Sequence, residues 1–190
     1  SRQLSRSADV PLFQIRSGKM GDRDWKKLTD AMAPISEMPL FLDDSGSVSP
    51  SQVRTKVQEL TIRTGLEIGL VIIDYLQLMK PDGIFSSEVE RISNITRDLK
   101  LVAKDLTCPV VTLSQLNRQL EQRPFRNHER RPRLSDLRGS GSIEQDADII
   151  IGLYRPEVYN PDDPQYKGKA EACIIKQRNG ALGIANLTWH

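Results

Sequence analysis

Between Leu70 and Leu113 the sequence spells out a strand, a long helix and a second strand, and that order confines the chain to few folds. Leu70-Val71-Ile72-Ile73 is an apolar run that stops on Asp74. Ser87-x-x-Glu90 then has the spacing of a capping box, in which each side chain satisfies a free N–H of the other residue, and it opens a helix. Ile92, Ile95, Leu99, Val102, Ala103 and Leu106 recur along that helix at the spacing of a buried stripe. Pro109 ends it and leads straight into Val110-Val111-Thr112-Leu113. Strands joined through a helix of this length run parallel, with a right-handed crossover. The expected class is α/β, with helices flanking a mainly parallel sheet.

The remaining chain fits the same plan. Trp25, Leu28, Met32 and Ile35 predict an amphipathic helix over about 22–35. Pro39 to Leu42 is a short apolar run closed by Asp43-Asp44. Ser49-Pro50-Ser51-Gln52 combines a capping box with proline at the first helical position, Val53, Val57 and Leu60 form the inner face, and Gly65 is the stop. Ala147–Leu153, Ala170–Ile175 and Ile184–Trp189 are strand-like. A Pro/Arg-rich connection spans 123–132 and another turn-rich one spans 156–168. With 190 residues and no internal repeat, one domain over 1–190 is the economical expectation.

Composition narrows the class. Hydrophobic residues make up 38% and charged residues 27%, a balance suited to a soluble, cytoplasmic-type protein, and no apolar run approaches the roughly 20 residues of a membrane span. The first residues lack the apolar stretch of a signal peptide and an initiator methionine, which points to a chain cut from something larger. Cys108 and Cys173 lie beside or within apolar runs and fit buried thiols better than a disulfide or metal ligands. The net charge of +2 conceals a concentration of seven arginines against three acids between Arg118 and Arg138. That segment suits a polyanion, most often nucleic acid; an arginine-rich solvated loop is the plainer alternative.

Four places carry candidate chemistry. Asp74 ends a buried strand, where α/β proteins bind ligands and where a carboxylate holds Mg²⁺ through its water shell, although such an acid alone more often caps a turn. Gln115 closes the next strand and should stand beside Asp74; its amide can contact both water and a phosphate oxygen. Lys176 and Arg178 leave a strand two residues apart and so point to one face, a pairing that stabilises charge on a transferring phosphoryl group. Asp136 to Ser142 forms a glycine/serine loop, containing Arg138, Gly139 and Gly141, through which backbone N–H groups could approach phosphates. Phe125 is the one aromatic in this region, so contact would run along the sugar-phosphate backbone and depend steeply on salt. No G-x-x-x-x-G-K-[ST] phosphate loop occurs in the 190 residues; five positions before the two Gly-Lys pairs stand Phe13 and Asp163.

In order and spacing, these segments resemble the C-terminal motor domain of the bacterial replicative helicases of the DnaB family. The match is carried by Val71 to Met79 (VIIDYLQLM), Leu113 to Arg118 (LSQLNR), Leu134 to Asp148 (LSDLRGSGSIEQDAD) and Lys176 to Gly180 (KQRNG), and the similarity runs from about Ile15 to the C-terminus. The resemblance implies a RecA-like ATPase core, lacking here the phosphate-loop strand, that uses ATP and Mg²⁺. It also implies a hexameric ring moving along single-stranded DNA, with primase and a helicase loader as further partners. By the same resemblance Asp74 organises Mg²⁺ and Gln115 couples the γ-phosphate to the DNA loops. Lys176 and Arg178 reach a neighbouring subunit's ATP. Arg118, Arg133, Arg138, Gly139 and Gly141 belong to a DNA-facing stretch over 119–142 and its start.

The family usually has glutamate where this chain has Gly139, which leaves main-chain contact intact but removes a side chain. Because the family's phosphate loop and the water-activating acid that follows it do not occur in these 190 residues, the isolated chain is expected to lack ATPase activity. It is also expected to leave the Val110–Leu113 strand with an unpaired edge, because the phosphate-loop strand lies beside it in RecA-like sheets. A non-catalytic module that binds single-stranded DNA or caps a helicase subunit is the alternative. KQRNG combined with SDLRGSGSIEQDAD argues against a RecA-like ATPase of the repair or clock type.

Overall fold

A computed structural model describes residues 2–124, 130–137 and 140–189, and these form two compact units, Ser1–Asp44 and Ser45–His190. Each has its own core. The first unit holds α1 (Arg2–Ala8), α2 (Leu12–Ser17) and α3 (Asp22–Glu37). Ala8, Val10 and Leu28 are its buried residues, with Leu4, Ile15, Met20 and Ala31 packed around them. The predicted helix is present, but its stripe is only partly buried: Leu28 is inside, while Trp25 and Met32 are more than half exposed. Three short helices cannot enclose a whole apolar face. Pro39 to Leu42 forms no regular element and is exposed.

The second unit is built on α4 (Pro50–Thr64), β1 (Val71–Ile73), α5 (Glu88–Asp105), β2 (Val110–Thr112), α6 (Ser140–Asp146), β3 (Ile149–Tyr154), β4 (Lys169–Gln177) and β5 (Gly183–Thr188). Its helix starts follow their caps. The Ser49 and Gln52 side chains satisfy each other's backbone N–H groups at the start of α4, and Gly65 takes the left-handed conformation at its end (φ 70°). At α5, Ser87 accepts from the Glu90 N–H, but the Glu90 carboxylate turns to Ser86, so half of the expected box forms. Ile92, Ile95, Leu99 and Val102 are buried as their spacing predicts.

β1 and β2 pair in parallel, Val71 opposite Val110 and Ile73 opposite Thr112. This is the crossover read from the sequence. The three later strands form a separate antiparallel sheet in the order β3-β4-β5. Among the described residues β2 pairs only with β1, and β3 only with β4, so each keeps one free edge. Both sheets rest one face on a single core, in which Ile73, Ile150 and Ile143 join the α5 stripe.

Residues 140–142, read as loop from their glycine and serines, are instead the first turn of α6. Ile143 is buried in the core one residue later, and this packing outweighs the roughly 1 kcal/mol that Gly141 costs a helix. Gly152 is required for a different reason. A Cβ there would come within 2.6 Å of the Pro132 ring, so only glycine lets the arginine-rich segment lie against β3.

Candidate functional site

Asp74 and Gln115 emerge past the carboxyl ends of the two parallel strands, both exposed. Pairing continues beyond the strands themselves. Leu113 N–H donates to the Ile73 carbonyl (2.9 Å), and Leu76 N–H donates to the Leu113 carbonyl (2.8 Å). Gln77 then spans the gap between the two loops. Its amide nitrogen donates to Ser114 Oγ (3.0 Å), and its amide oxygen accepts from the Gln115 N–H (3.5 Å).

Arg91 of α5 supports the same loop from behind, donating to the carbonyls of Met79 (2.6 Å) and Gln77 (3.2 Å). A bidentate pair with Glu88 fixes Arg91 and raises its pKa further. Acid loop and glutamine loop are thus held in register by a side-chain bridge. Gln77 and Arg91 carried no signal of their own: a glutamine after an apolar strand and an arginine in a first helical turn are commonplace.

Lys176 and Arg178 lie in the other sheet, at and just beyond the end of β4. Both side chains reach the C-terminal end of α6. Lys176 Nζ donates to the carbonyls of Glu144 and Ala147 (2.6 Å to the latter), and Arg178 donates to the Gln145 carbonyl (2.8 Å). Asp148 binds Lys100 directly and lies 3.6 Å from the Arg178 guanidinium. Lys100, Arg178 and Lys176 hold its carboxyl below the usual range.

The arginine-rich segment divides in two. Arg123 is paired with Asp136, a buried acid (3% exposed), and Arg131 makes two bonds of 2.6 and 2.8 Å to Glu171 (9% exposed). Arg130 lies over the Tyr159 ring and donates to the Arg123 carbonyl (2.6 Å). These three fasten the segment to the domain, which a charge count could not reveal because their acids lie up to 40 residues away. Arg118 and Arg133 are exposed, with Asp136 accepting from the Arg133 N–H (2.8 Å). Gly141 is exposed, and a Cβ there would meet nothing within 4 Å. Arg138 and Gly139, also expected in this interface, fall outside the described residues.

Cys108 and Cys173 are buried free thiols, and burial pushes the Cys173 thiol up. Among the described residues no three His, Cys, Asp or Glu side chains cluster as a metal site, and no helix is long and apolar enough to cross a membrane.

Comparison with known proteins adds three findings. The family model described as DnaB-like helicase C terminal domain matches residues 1–190. A protein named Replicative DNA helicase DnaB from Mycobacterium leprae (strain TN) is 46% identical over 94% of this chain and 28% of its own length. The protein of the same name from Geobacillus stearothermophilus is 41% identical over 99% of this chain and 40% of its own. The chain therefore spans well under half the length of these curated relatives. Among solved structures, one described as an ATPase domain superposes with a TM-score of 0.90 at 36% identity, covering 98% of this chain and 65% of that one. A DnaB-like replicative helicase, solved in work on its interactions with primase, gives the same TM-score and identity over 98% of this chain and 44% of that one.

Proposed function

This chain belongs to the family of DnaB-like helicase C-terminal domains, and we propose that it forms the DNA-facing and trans-acting part of an ATP-driven replicative helicase motor. The observation that carries this reading is the Asp74–Gln77–Gln115 arrangement. An acid and a neutral amide stand at adjacent carboxyl ends of a parallel sheet, the position where such sheets bind ligands, and one side chain bridges their loops.

The donors suit nucleotide-bound Mg²⁺, which takes one or two carboxylates and completes its shell with waters and phosphate oxygens. Asp74 would hold the ion through water. When bound, Mg²⁺ would supply charge neutralisation to the nucleotide's phosphates. Gln115 accepts a hydrogen bond from water and donates one to the terminal phosphate, so a change at the phosphate is passed to the loop that leads into Arg118. Lys176 and Arg178 act on the ATP of the neighbouring subunit in a ring. Arg118, Arg133, Arg138 and the backbone at Gly139 and Gly141 follow the phosphates of single-stranded DNA. Neighbouring subunits, single-stranded DNA, primase and a loader are the partners of this reading, and the cytoplasm is its place of action.

The bare faces and edges of the strands support the same reading. A phosphate-loop strand between β2 and β3 would close both free edges and join the two sheets. The solved ATPase domain that superposes on this chain has about a third of its length outside the match, enough chain for such a layer.

The test uses the complete gene product. It should hydrolyse ATP in a DNA-stimulated manner, and Asp74→Ala should lower the rate by at least ~100-fold. The 190-residue chain alone should show no saturable site for a fluorescent ATP analogue with Mg²⁺. ATP hydrolysis unaffected by Asp74→Ala would overturn the proposal.

A further inference from the structure

We propose that the C-terminal end of α6 is the resting seat of Lys176 and Arg178, and that Asp148 is the positioning residue that decides whether the pair stays seated or swings toward a neighbouring subunit. The inference rests on the reading of this pair as trans-acting groups. It adds where the pair waits and what holds it.

The last carbonyls of a helix have no intrahelical partner and carry the negative end of its dipole. The carbonyls of Glu144 and Gln145 in α6, and of Ala147 just beyond it, are satisfied instead by the two cations. Asp148 follows directly. Its carboxylate faces the Arg178 guanidinium at 3.6 Å, and its carbonyl accepts from the Arg178 N–H at 2.9 Å. Lys100 of α5 binds the same carboxylate, so Lys100 and Arg178 share one anion.

The helix itself is fastened to α5. Ile143 is in the core, and Thr96 Oγ1 donates to Asp146 at 2.6 Å. Its first turn follows Arg138 and Gly139 in sequence, the residues assigned above to DNA. A displacement of that turn by DNA therefore moves the carbonyls on which the pair sits.

The seat and a neighbouring subunit's phosphates compete for the same two side chains. Lys176 gives two of its three N–H donors to the Glu144 and Ala147 carbonyls, and Arg178 donates to Gln145 and faces Asp148. Reaching a neighbour's phosphates would draw both side chains off these partners. Paired with a phosphate, these cations gain an opposite charge that neutral carbonyls do not offer, so the carbonyls alone make the weaker hold. Asp148 supplies the only anion of the seat among its described contacts, and Lys100 competes for it.

Two variants of the complete gene product move the balance in opposite directions. Asp148→Asn removes the anion while keeping shape and should release the pair. The ATPase rate without DNA should rise roughly fivefold, the rate with single-stranded DNA should change less than about twofold, and the KM for ATP should hold. Lys100→Met frees Asp148 for Arg178 and should lower the DNA-free rate, raising the stimulation ratio. Melting temperatures within a few degrees of the parent confirm folding. Unchanged ratios, or both variants moving the ratio the same way, would overturn the inference. Lys176→Ala and Arg178→Ala leaving all rates intact would instead overturn the trans-acting reading beneath it.

Discussion

On one face of the strands Ile73 and Ile150 are buried against Ile92, Ile95, Leu99 and Val102, with Val71 and Val110 packed alongside. On the other face, Ile72 (63% exposed), Val111 (45%), Ile151 (54%) and Leu153 (71%) stand in solvent. The residue types are the same and the surroundings opposite. In antiparallel β3 one face buried and one face wet calls for alternating apolar and polar residues. β3 reads Ile-Ile-Ile-Gly-Leu-Tyr and alternates only in burial. A sequence that is apolar on both faces is written for cover on both. Among the described residues, helices cover one face of the strands, and Ile72, Val111, Ile151 and Leu153 leave the other apolar and open.

The largest test sets the two faces against each other. Ile95→Ala removes a fully buried side chain and should cost about 2–5 kcal/mol in urea denaturation. Leu153→Ala, on the open face, should stay within roughly 0.5 kcal/mol in the same chain. In the complete gene product the Leu153→Ala cost should climb toward the Ile95→Ala value. Equal costs in the 190-residue chain would break the comparison.

Tyr154 extends it to pH. On the face of β3 opposite Leu153 it is buried, and burial together with Glu171 pushes its hydroxyl up to about 12. A phenol with a folded pKa above its unfolded value of about 10 contributes stability fully below pH 10 and loses it as pH rises toward 12. That loss should reach roughly 2–3 kcal/mol and vanish in Tyr154→Phe. An alkaline stability curve unchanged by that substitution would place Tyr154 with the open face.

A smaller effect is expected at the ion pair that pins the arginine segment. Glu171→Gln leaves Arg131 with a neutral partner and should cost about 1.5–3 kcal/mol, toward the lower end because Arg131 is partly exposed. Binding to single-stranded DNA should survive it, whereas Arg133→Ala should weaken binding for every sequence alike and flatten the salt dependence. The smallest is the α4 cap. Ser49→Ala should cost about 1 kcal/mol, read as a shift in melting temperature.

What was legible in the sequence was whatever local spacing dictates. The capping box at Ser49, the Ser87 half of the one at α5, the stripe along α5, and the strand–helix–strand unit placing Asp74 and Gln115 side by side all lie within short stretches of chain. Family motifs extended the reading to Lys176 and Arg178.

Other features depended on partners far along the chain. Arg123 and Arg131 looked like free charge until Asp136 and Glu171 took them up. Residues 140–142 looked like loop because Gly141 and its flanking serines hide a helix that Ile143 pins to the core. Gln77, Arg91 and Asp148 act only through contacts that no spacing rule encodes. α1 and α2 went unread because their few apolar residues set no clear period.

The most direct test of the open sheet is amide hydrogen exchange across β2 and β3, comparing the 190-residue chain with the complete gene product. Amides of Val110–Thr112 and Ile149–Tyr154 that point away from β1 and β4 should exchange rapidly in the short chain. In the complete protein, where a phosphate-loop strand would occupy both free edges, they should slow by several orders of magnitude. Equal protection in the two proteins would contradict the account, because the edges left free in this structure would then receive no strand.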